Sequence, residues 1–317
     1  MTIEELNEQF EISGAARFEA GPGGMTQLDI RTQGHQAQLM LQGAHVTHFC
    51  PAGCEPVLWM SGRSWFAPGK PLRGGVPVCF PWFGPRAGAP DAPNHGFARL
   101  WEWAVESLAR TSEGHVAVTL LLAADDRTRA YSVGDFELRH TVTVADSLTM
   151  ALETRNVGAE PLTISEALHS YFRVSDIRKV SVAGLGGVTY LDKVAPGGRR
   201  VEGADAITFS EETDREYIDT QGTCEIDDPG LGRRIAVAKS GSDSTVVWNP
   251  WTAKAVRMPD FDDDEWPGML CVETANATEN AVTIVPGAGH TMEARISVTP
   301  KPGKAAGIAS AMTRNQS

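Results

Sequence analysis

The sequence predicts an all-β protein, two antiparallel sheets packed on each other, and three observations carry that expectation. Phe136, Leu138, His140, Val142 and Val144 share one parity while Glu137, Arg139, Thr141 and Thr143 share the other, the period-two mark of a half-buried strand. Short runs of the same kind recur at Leu148–Leu152, Val180–Val182, Ile235–Val237, Val246–Trp248 and Met292–Val298. No long amphipathic helix interrupts them, and no Gly/Ser or Pro linker divides the chain, so residues 1–300 read as a single domain.

In order along the chain, Thr2 followed by Glu5 forms a capping-box pattern that opens a short, peripheral helix to about Phe10. From Leu28 to Trp59, alternating runs punctuated by Gly34, Gly43 and Gly53 read as short strands and turns. His45 and His48 fall on this stretch; three apart on a strand they face opposite ways, which makes them poor joint metal ligands. Phe136–Val144 and Leu148–Leu152 flank Asp146-Ser147 as a hairpin, and His140 then faces the core as a packing residue. The acidic run from Asp260 to Glu265 lacks the glycine and terminal glutamate of a calcium loop and reads as a solvated surface segment. Residues 301–317, rich in Gly, Ala and polar side chains without a period, are expected to be mobile.

Composition excludes several function classes. A formal net charge of -12 argues against nucleic acid as a partner, because phosphate backbones are bound through clustered Lys and Arg. A small anion remains compatible wherever a few arginines converge. Cys50, Cys54, Cys79, Cys224 and Cys271 show neither CxxC pairing nor a disulfide framework. The acidic start of the chain and the lack of any long apolar run fit a cytoplasmic, membrane-free protein, and no patterned interface helix stands out, so a monomer is expected.

Chemistry concentrates in four stretches. From Arg73 to Trp103 the density of Gly and Pro forbids a long helix or an unbroken ladder, so the segment reads as a shaped loop. It carries Arg73, Asn94, His95 and Arg99 with the aromatic faces of Phe80, Trp82 and Phe83; guanidinium forks match phosphate oxygens, and flat rings suit the apolar side of a sugar. His169 sits among polar neighbours between apolar runs, a candidate general acid or base. Glu273 follows mainly apolar residues on a strand expected to be buried, where desolvation raises a carboxyl pKa. Asp214 in Thr213–Tyr217 is placed to accept hydrogen bonds from sugar hydroxyls.

Taken together, Arg73-Gly-Gly-Val-Pro through Pro81-Trp-Phe-Gly84, Asn94-His-Gly-Phe-Ala-Arg99, His169-Ser-Tyr-Phe, Gly184-Leu-Gly-Gly187 with Tyr190, Val247-Trp-Asn-Pro-Trp251 and Cys271-Val-Glu-Thr-Ala-Asn276 resemble the D-hexose-6-phosphate mutarotases, relatives of galactose mutarotase. The resemblance spans Phe18 to Val298. It implies a galactose-mutarotase-like β-supersandwich and interconversion of the α and β anomers of an aldohexose 6-phosphate, with glucose 6-phosphate foremost. By motif position it implies that His169 and Glu273 are catalytic, that Arg73 and Arg99 meet the phosphate, and that Asp214 binds substrate. Asn94 stands where a glutamine is frequent, and His95 falls where the galactose mutarotases have a second histidine.

Mutarotation needs a base for the anomeric hydroxyl and an acid for the ring oxygen. It transfers no hydride or phosphoryl group, which suits a sequence without a dinucleotide fingerprint, P-loop or metal cluster, so no cofactor or metal is expected. Glu273 is assigned as base and protonated His169 as acid, exchanging roles on re-closure. Two other readings are weighed: a noncatalytic carbohydrate-binding module on the same architecture, and a glycoside hydrolase drawing on Glu166, Asp214 and Glu273.

Overall fold

A computed structural model describes residues 1–195 and 198–301. Two eight-stranded, antiparallel sheets dominate it, accompanied by a four-stranded sheet from Ala16 to Cys50 and a two-stranded ribbon pairing Leu162–Ile164 with Val282–Ile284. The hairpin expected around Asp146-Ser147 is present, with Phe136 opposite Asn156 and Val144 opposite Leu148. His140 is fully buried on its core face and its Nδ1 lies 3.0 Å from the Ala44 carbonyl, the packing role the parity pattern assigned. His45 is likewise buried, against the Gly74 carbonyl at 2.7 Å, and His48 lies on the other side of its strand.

The short helix is Ile3–Phe10, and both halves of the capping box are made: Glu5 N–H donates to Thr2 Oγ1, and Thr2 N–H donates to the Glu5 carboxylate. Asn7 then fastens the helix to the Phe18 backbone as both donor and acceptor at 2.8 Å. At the other end, the Lys301 backbone N–H donates to the Gly232 carbonyl; residues 302–317, the rest of the segment expected to be mobile, lie outside the described residues.

One sheet carries the site. Its central strands are Thr213–Tyr217, Ser244–Asn249 and Met269–Asn276, followed by the short strands Glu166–Leu168 and Tyr171–Arg173, both of which pair with Met269–Asn276. Alternation divides its residues between two environments. Leu168, Val247, Leu270 and Val272 point into the main core, shared with Leu152, Met292, Ala294 and Ile296 of the second large sheet. Trp248, Val246, Cys271 and Ala275 point the other way, toward a smaller cluster with Trp59, Tyr171 and Phe261. A strand buried on both faces needs no polar side, and all eight residues of Met269–Asn276 are buried.

The Gly/Pro-rich segment is mostly loop, as expected, but Val78–Cys79 forms an edge strand beside Glu166–Leu168 and Ala98–Leu100 a single 3-10 turn. The Phe80 carbonyl accepts from the N–H groups of Phe97 and Ala98, drawing the Asn94–Arg99 turn onto the sheet. Gly96 makes this approach possible: its φ is +74°, and a Cβ there would lie 1.9 Å from the Phe80 oxygen. Gly96→Ala is expected to destabilise the fold by roughly 2 to 4 kcal/mol, read as a lowered midpoint in urea unfolding with the slope unchanged.

Candidate active site

His169 occupies the gap between the two short strands. Leu168 pairs with Thr274 and Tyr171 with Cys271, so His169 and Ser170 lie opposite Val272 and Glu273. The histidine backbone is pinned from the far side, its N–H donating to the Pro77 carbonyl at 3.0 Å. Parity turns its ring to the same face as Glu273, and Nε2 comes within 3.3 Å of the Glu273 Oε1. The imidazole stacks on Tyr171 at 4.7 Å between ring centres, nearly parallel, which fixes its plane.

Both groups are almost entirely buried, and His169 Nδ1 and Glu273 Oε2 have no hydrogen-bond partner. Desolvation pushes the Glu273 carboxyl well above its ordinary 4.5, and the nearby carboxylates of Asp214 and Glu216 push the same way. Desolvation also holds His169 well below its ordinary 6.5, reinforced by the charges of Arg73 and Arg99. Both shifts favour a proton on the carboxyl beside a neutral imidazole over the separated charges of a carboxylate and an imidazolium. The two forms differ only in which partner holds one shared proton, so either member can begin as acid.

The pair lies at the floor of a cavity of about 580 Å³, a volume suited to one small ligand. Arg73, Asn94, His95 and Asp214 also line it. Arg99 does not: it sits behind the turn, half-buried, its Nη2 donating to the Asn94 carbonyl at 2.7 Å. His95 has φ +61° and accepts from the Gly84 N–H through Nδ1 at 3.2 Å, which leaves the proton on Nε2. Its ring meets His169 edge-on, with 5.6 Å between centres. Of the three aromatics named from the loop, Phe83 lines the cavity, whereas Phe80 is core and Trp82 donates from Nε1 to the Pro93 carbonyl.

Sequence reasoning missed several members of the site. Asp260 is the sharpest correction, because the acidic run was read as a solvated segment. Asp260 is buried and its carboxylate takes Nε and Nη2 of Arg73 at 3.3 and 3.2 Å, while Arg73 Nη1 donates to the Tyr171 hydroxyl at 2.9 Å. The next residue, Phe261, is fully buried and packs on Trp59, which draws the start of the run inward. Asp262 and Asp263 pair with Arg63 at the surface, as a solvated run would. Tyr171, Trp248, Lys193, Lys254 and Glu216 also line the cavity. Only Glu216 had a usable signal, since it shares the parity of Asp214 on one strand.

Glu166 is fully buried on the opposite face of the sheet, where its Oε1 meets Asn276 Nδ2 at 3.1 Å and His290 Nε2 at 3.2 Å. It cannot face Glu273 across a glycosidic bond, which removes the carboxylate pairing of the hydrolase reading that used it. His169, Cys271 and Glu273 offer nitrogen, sulfur and oxygen donors within 4.8 Å of one another. Burial pushes the Cys271 thiol well up, away from the thiolate a soft metal requires. None of the five cysteines is paired. No helix among the described residues is long and apolar enough to cross a membrane.

A proton-sharing pair beneath an aromatic-walled, sugar-sized cavity on paired antiparallel sheets is the build of a mutarotase-type β-sandwich. Comparison with known proteins agrees. The sequence profile of the aldose 1-epimerase family matches residues 26–298, and the chain belongs to that family. An Escherichia coli (strain K12) protein assigned by inference as a glucose-6-phosphate 1-epimerase is 39% identical over 258 residues, covering 80% of this chain and 85% of that one. One from Cenchrus ciliaris with the same assignment is 34% identical over 275 residues, covering 84% and 82%. A crystal structure from Salmonella typhimurium, assigned by inference as a mutarotase, superposes with a TM-score of 0.85 at 33% identity over 92% of this chain and 96% of that one.

The displaced pKa values lead to a direct measurement. In an NMR titration of the ligand-free protein, the His169 ring is expected to stay neutral below pH 6.5 and the Glu273 carboxyl to stay protonated above pH 4.5. An imidazolium signal for His169 at pH 6.5 would contradict the burial argument.

Proposed function

We propose that the protein is a hexose-6-phosphate mutarotase, interconverting the anomers of an aldohexose 6-phosphate such as glucose 6-phosphate. The observation that carries this reading is the His169–Glu273 contact of 3.3 Å in a desolvated, sugar-sized cavity. The two roles of ring opening need two groups near the anomeric carbon, one taking the hydroxyl proton and one protonating the ring oxygen. A neutral imidazole beside a protonated carboxyl supplies both without importing charge. His169 takes the hydroxyl proton while Glu273 gives its own to the ring oxygen, or the shared proton shifts first and the roles are exchanged. Rotation of the freed aldehyde and re-closure on its other face run the transfers backward.

The phosphate is assigned to the Arg73 side. Arg73 is held by Asp260 and Tyr171 yet keeps part of its guanidinium exposed to the cavity. Arg99 adds positive potential from behind and fixes the turn that carries Asn94 and His95. Asp214, with Lys254 Nζ at 3.2 Å, is placed to meet sugar hydroxyls, and the Trp248 ring offers an apolar wall. Since sugar phosphates do not cross bilayers unaided, this reading carries cytoplasmic residence with it. A noncatalytic binding module has no use for a desolvated proton-sharing pair, which favours the enzyme.

Exchange NMR on freshly dissolved α-glucose 6-phosphate tests the assignment. His169→Ala and Glu273→Gln are each expected to slow enzyme-dependent exchange by about a hundredfold to ten-thousandfold while the fold persists; near-normal rates in both would remove the pair from the mechanism. Binding by the wild-type protein without acceleration over buffer would select the module. Arg73→Ala is expected to raise KM for glucose 6-phosphate about tenfold to a hundredfold with little effect on unphosphorylated glucose, whereas Arg99→Ala, by freeing the turn that carries Asn94 and His95, is expected to raise KM for both sugars. An unchanged KM for glucose 6-phosphate in Arg73→Ala would take Arg73 out of phosphate binding.

A further inference from the structure

Asp214 and Glu216 stand on one face of the Thr213–Tyr217 strand, and each meets a lysine: Lys254 Nζ lies 3.2 Å from Asp214 and equally from Glu212, and Lys193 Nζ lies 3.0 Å from Glu216 Oε2. The two pairs are not equivalent. Asp214 accepts a hydrogen bond from Lys254, whereas neither oxygen of Glu216 has a hydrogen-bond partner, although the residue is only 1% exposed. The half-exposed Lys193 ammonium, 3.0 Å away, balances its charge as an ion pair. The buried carboxylate thus has the Lys193 ion pair as its partner, and both residues line the cavity, where a ligand can add hydrogen bonds.

Register gives its position relative to the reacting pair. Glu216 lies opposite Val246, and Val246 lies opposite Glu273, so the three residues form one row across adjacent strands with all side chains on the cavity face. Two interstrand steps separate the backbones of the carboxylates by roughly 10 Å. That is about the width of a pyranose ring with a hydrogen bond at each end. A sugar whose anomeric hydroxyl meets Glu273 presents its far-side hydroxyls to Glu216.

We propose that Glu216, together with Lys193, is a specificity-determining pair that reads a ring hydroxyl on the side of the sugar away from the anomeric carbon. The inference rests on the mutarotase reading of this site and adds which part of the sugar is recognised. Glu216 accepts a hydrogen bond from the hydroxyl and Lys193 donates one to the hydroxyl oxygen, so both capacities of that group are met. A sugar lacking it leaves the buried ion pair without its ligand hydrogen bonds, the situation in which polar sites discriminate strongly.

Exchange NMR with glucose 6-phosphate and its 2-, 3- and 4-deoxy analogues, on wild type, Glu216→Ala, Glu216→Gln and Lys193→Met, tests this. Wild type is expected to lose about tenfold to a hundredfold in kcat/KM with one deoxy analogue. Glu216→Ala should lose a similar factor with the parent sugar, mainly through KM, and nothing further with that analogue. Glu216→Gln keeps the side-chain volume and serves as the check on folding. Additive losses for every analogue would overturn the proposal. So would a shifted pH profile of kcat with KM unchanged, since Glu216 would then act only through its charge on Glu273. Absence of acceleration by wild type would instead sink the mutarotase reading, and this inference with it.

Discussion

A carboxyl and an imidazole held 3.3 Å apart and closed off from water are the constraint around which the rest of the molecule is arranged. Each group alone would be expensive to bury in its charged form. Placed together they can hold one proton between them, which lowers the charge that must be buried and keeps a donor and an acceptor side by side. That economy depends on position. The interruption between Glu166–Leu168 and Tyr171–Arg173 sets His169 directly opposite Glu273, and stacking on Tyr171 removes the ring's remaining freedom.

Charge is partitioned around this neutral centre. Arg73, locked by Asp260 and Tyr171, supplies positive potential on one side without a mobile side chain. The Thr213–Tyr217 strand contributes Asp214 and Glu216 on the other, each balanced by a lysine that arrives from outside the strand. A ligand anionic at one end and rich in hydroxyls at the other is complementary to that gradient. The same fields act on the central pair, since the carboxylates favour a protonated Glu273 and the arginines favour a neutral His169. Binding and proton placement are therefore coupled through electrostatics rather than through any moving part.

The core supports the site by being buried on both sides of one sheet. Because Met269–Asn276 packs against the second large sheet through Leu270 and Val272, its other face can carry Cys271 and Glu273 without losing its place. Glu166 shows the same logic in reverse: one residue's parity away, it turns to the far face and is consumed by Asn276 and His290.

How much of this was legible in the sequence follows from what periodicity can report. Alternation tells which side chains of a strand share a face, so the Phe136–Val144 hairpin, the core position of His140 and the burial of Glu273 could be read directly. The glycines and prolines of the Arg73–Trp103 segment likewise announced a loop, since their backbone limits are intrinsic. Alternation does not tell which strand lies beside which. The meeting of His169 with Glu273, the capture of Arg73 by Asp260 and the arrival of Lys193 and Lys254 at one strand are all pairings between distant segments. Only the tertiary structure decided them, because sheet order and register are fixed by the packing of the whole core. Local pattern foresaw the upward push on Glu273, whereas the downward push on His169 depends on its burial and on Arg73 and Arg99, which only the fold brings near.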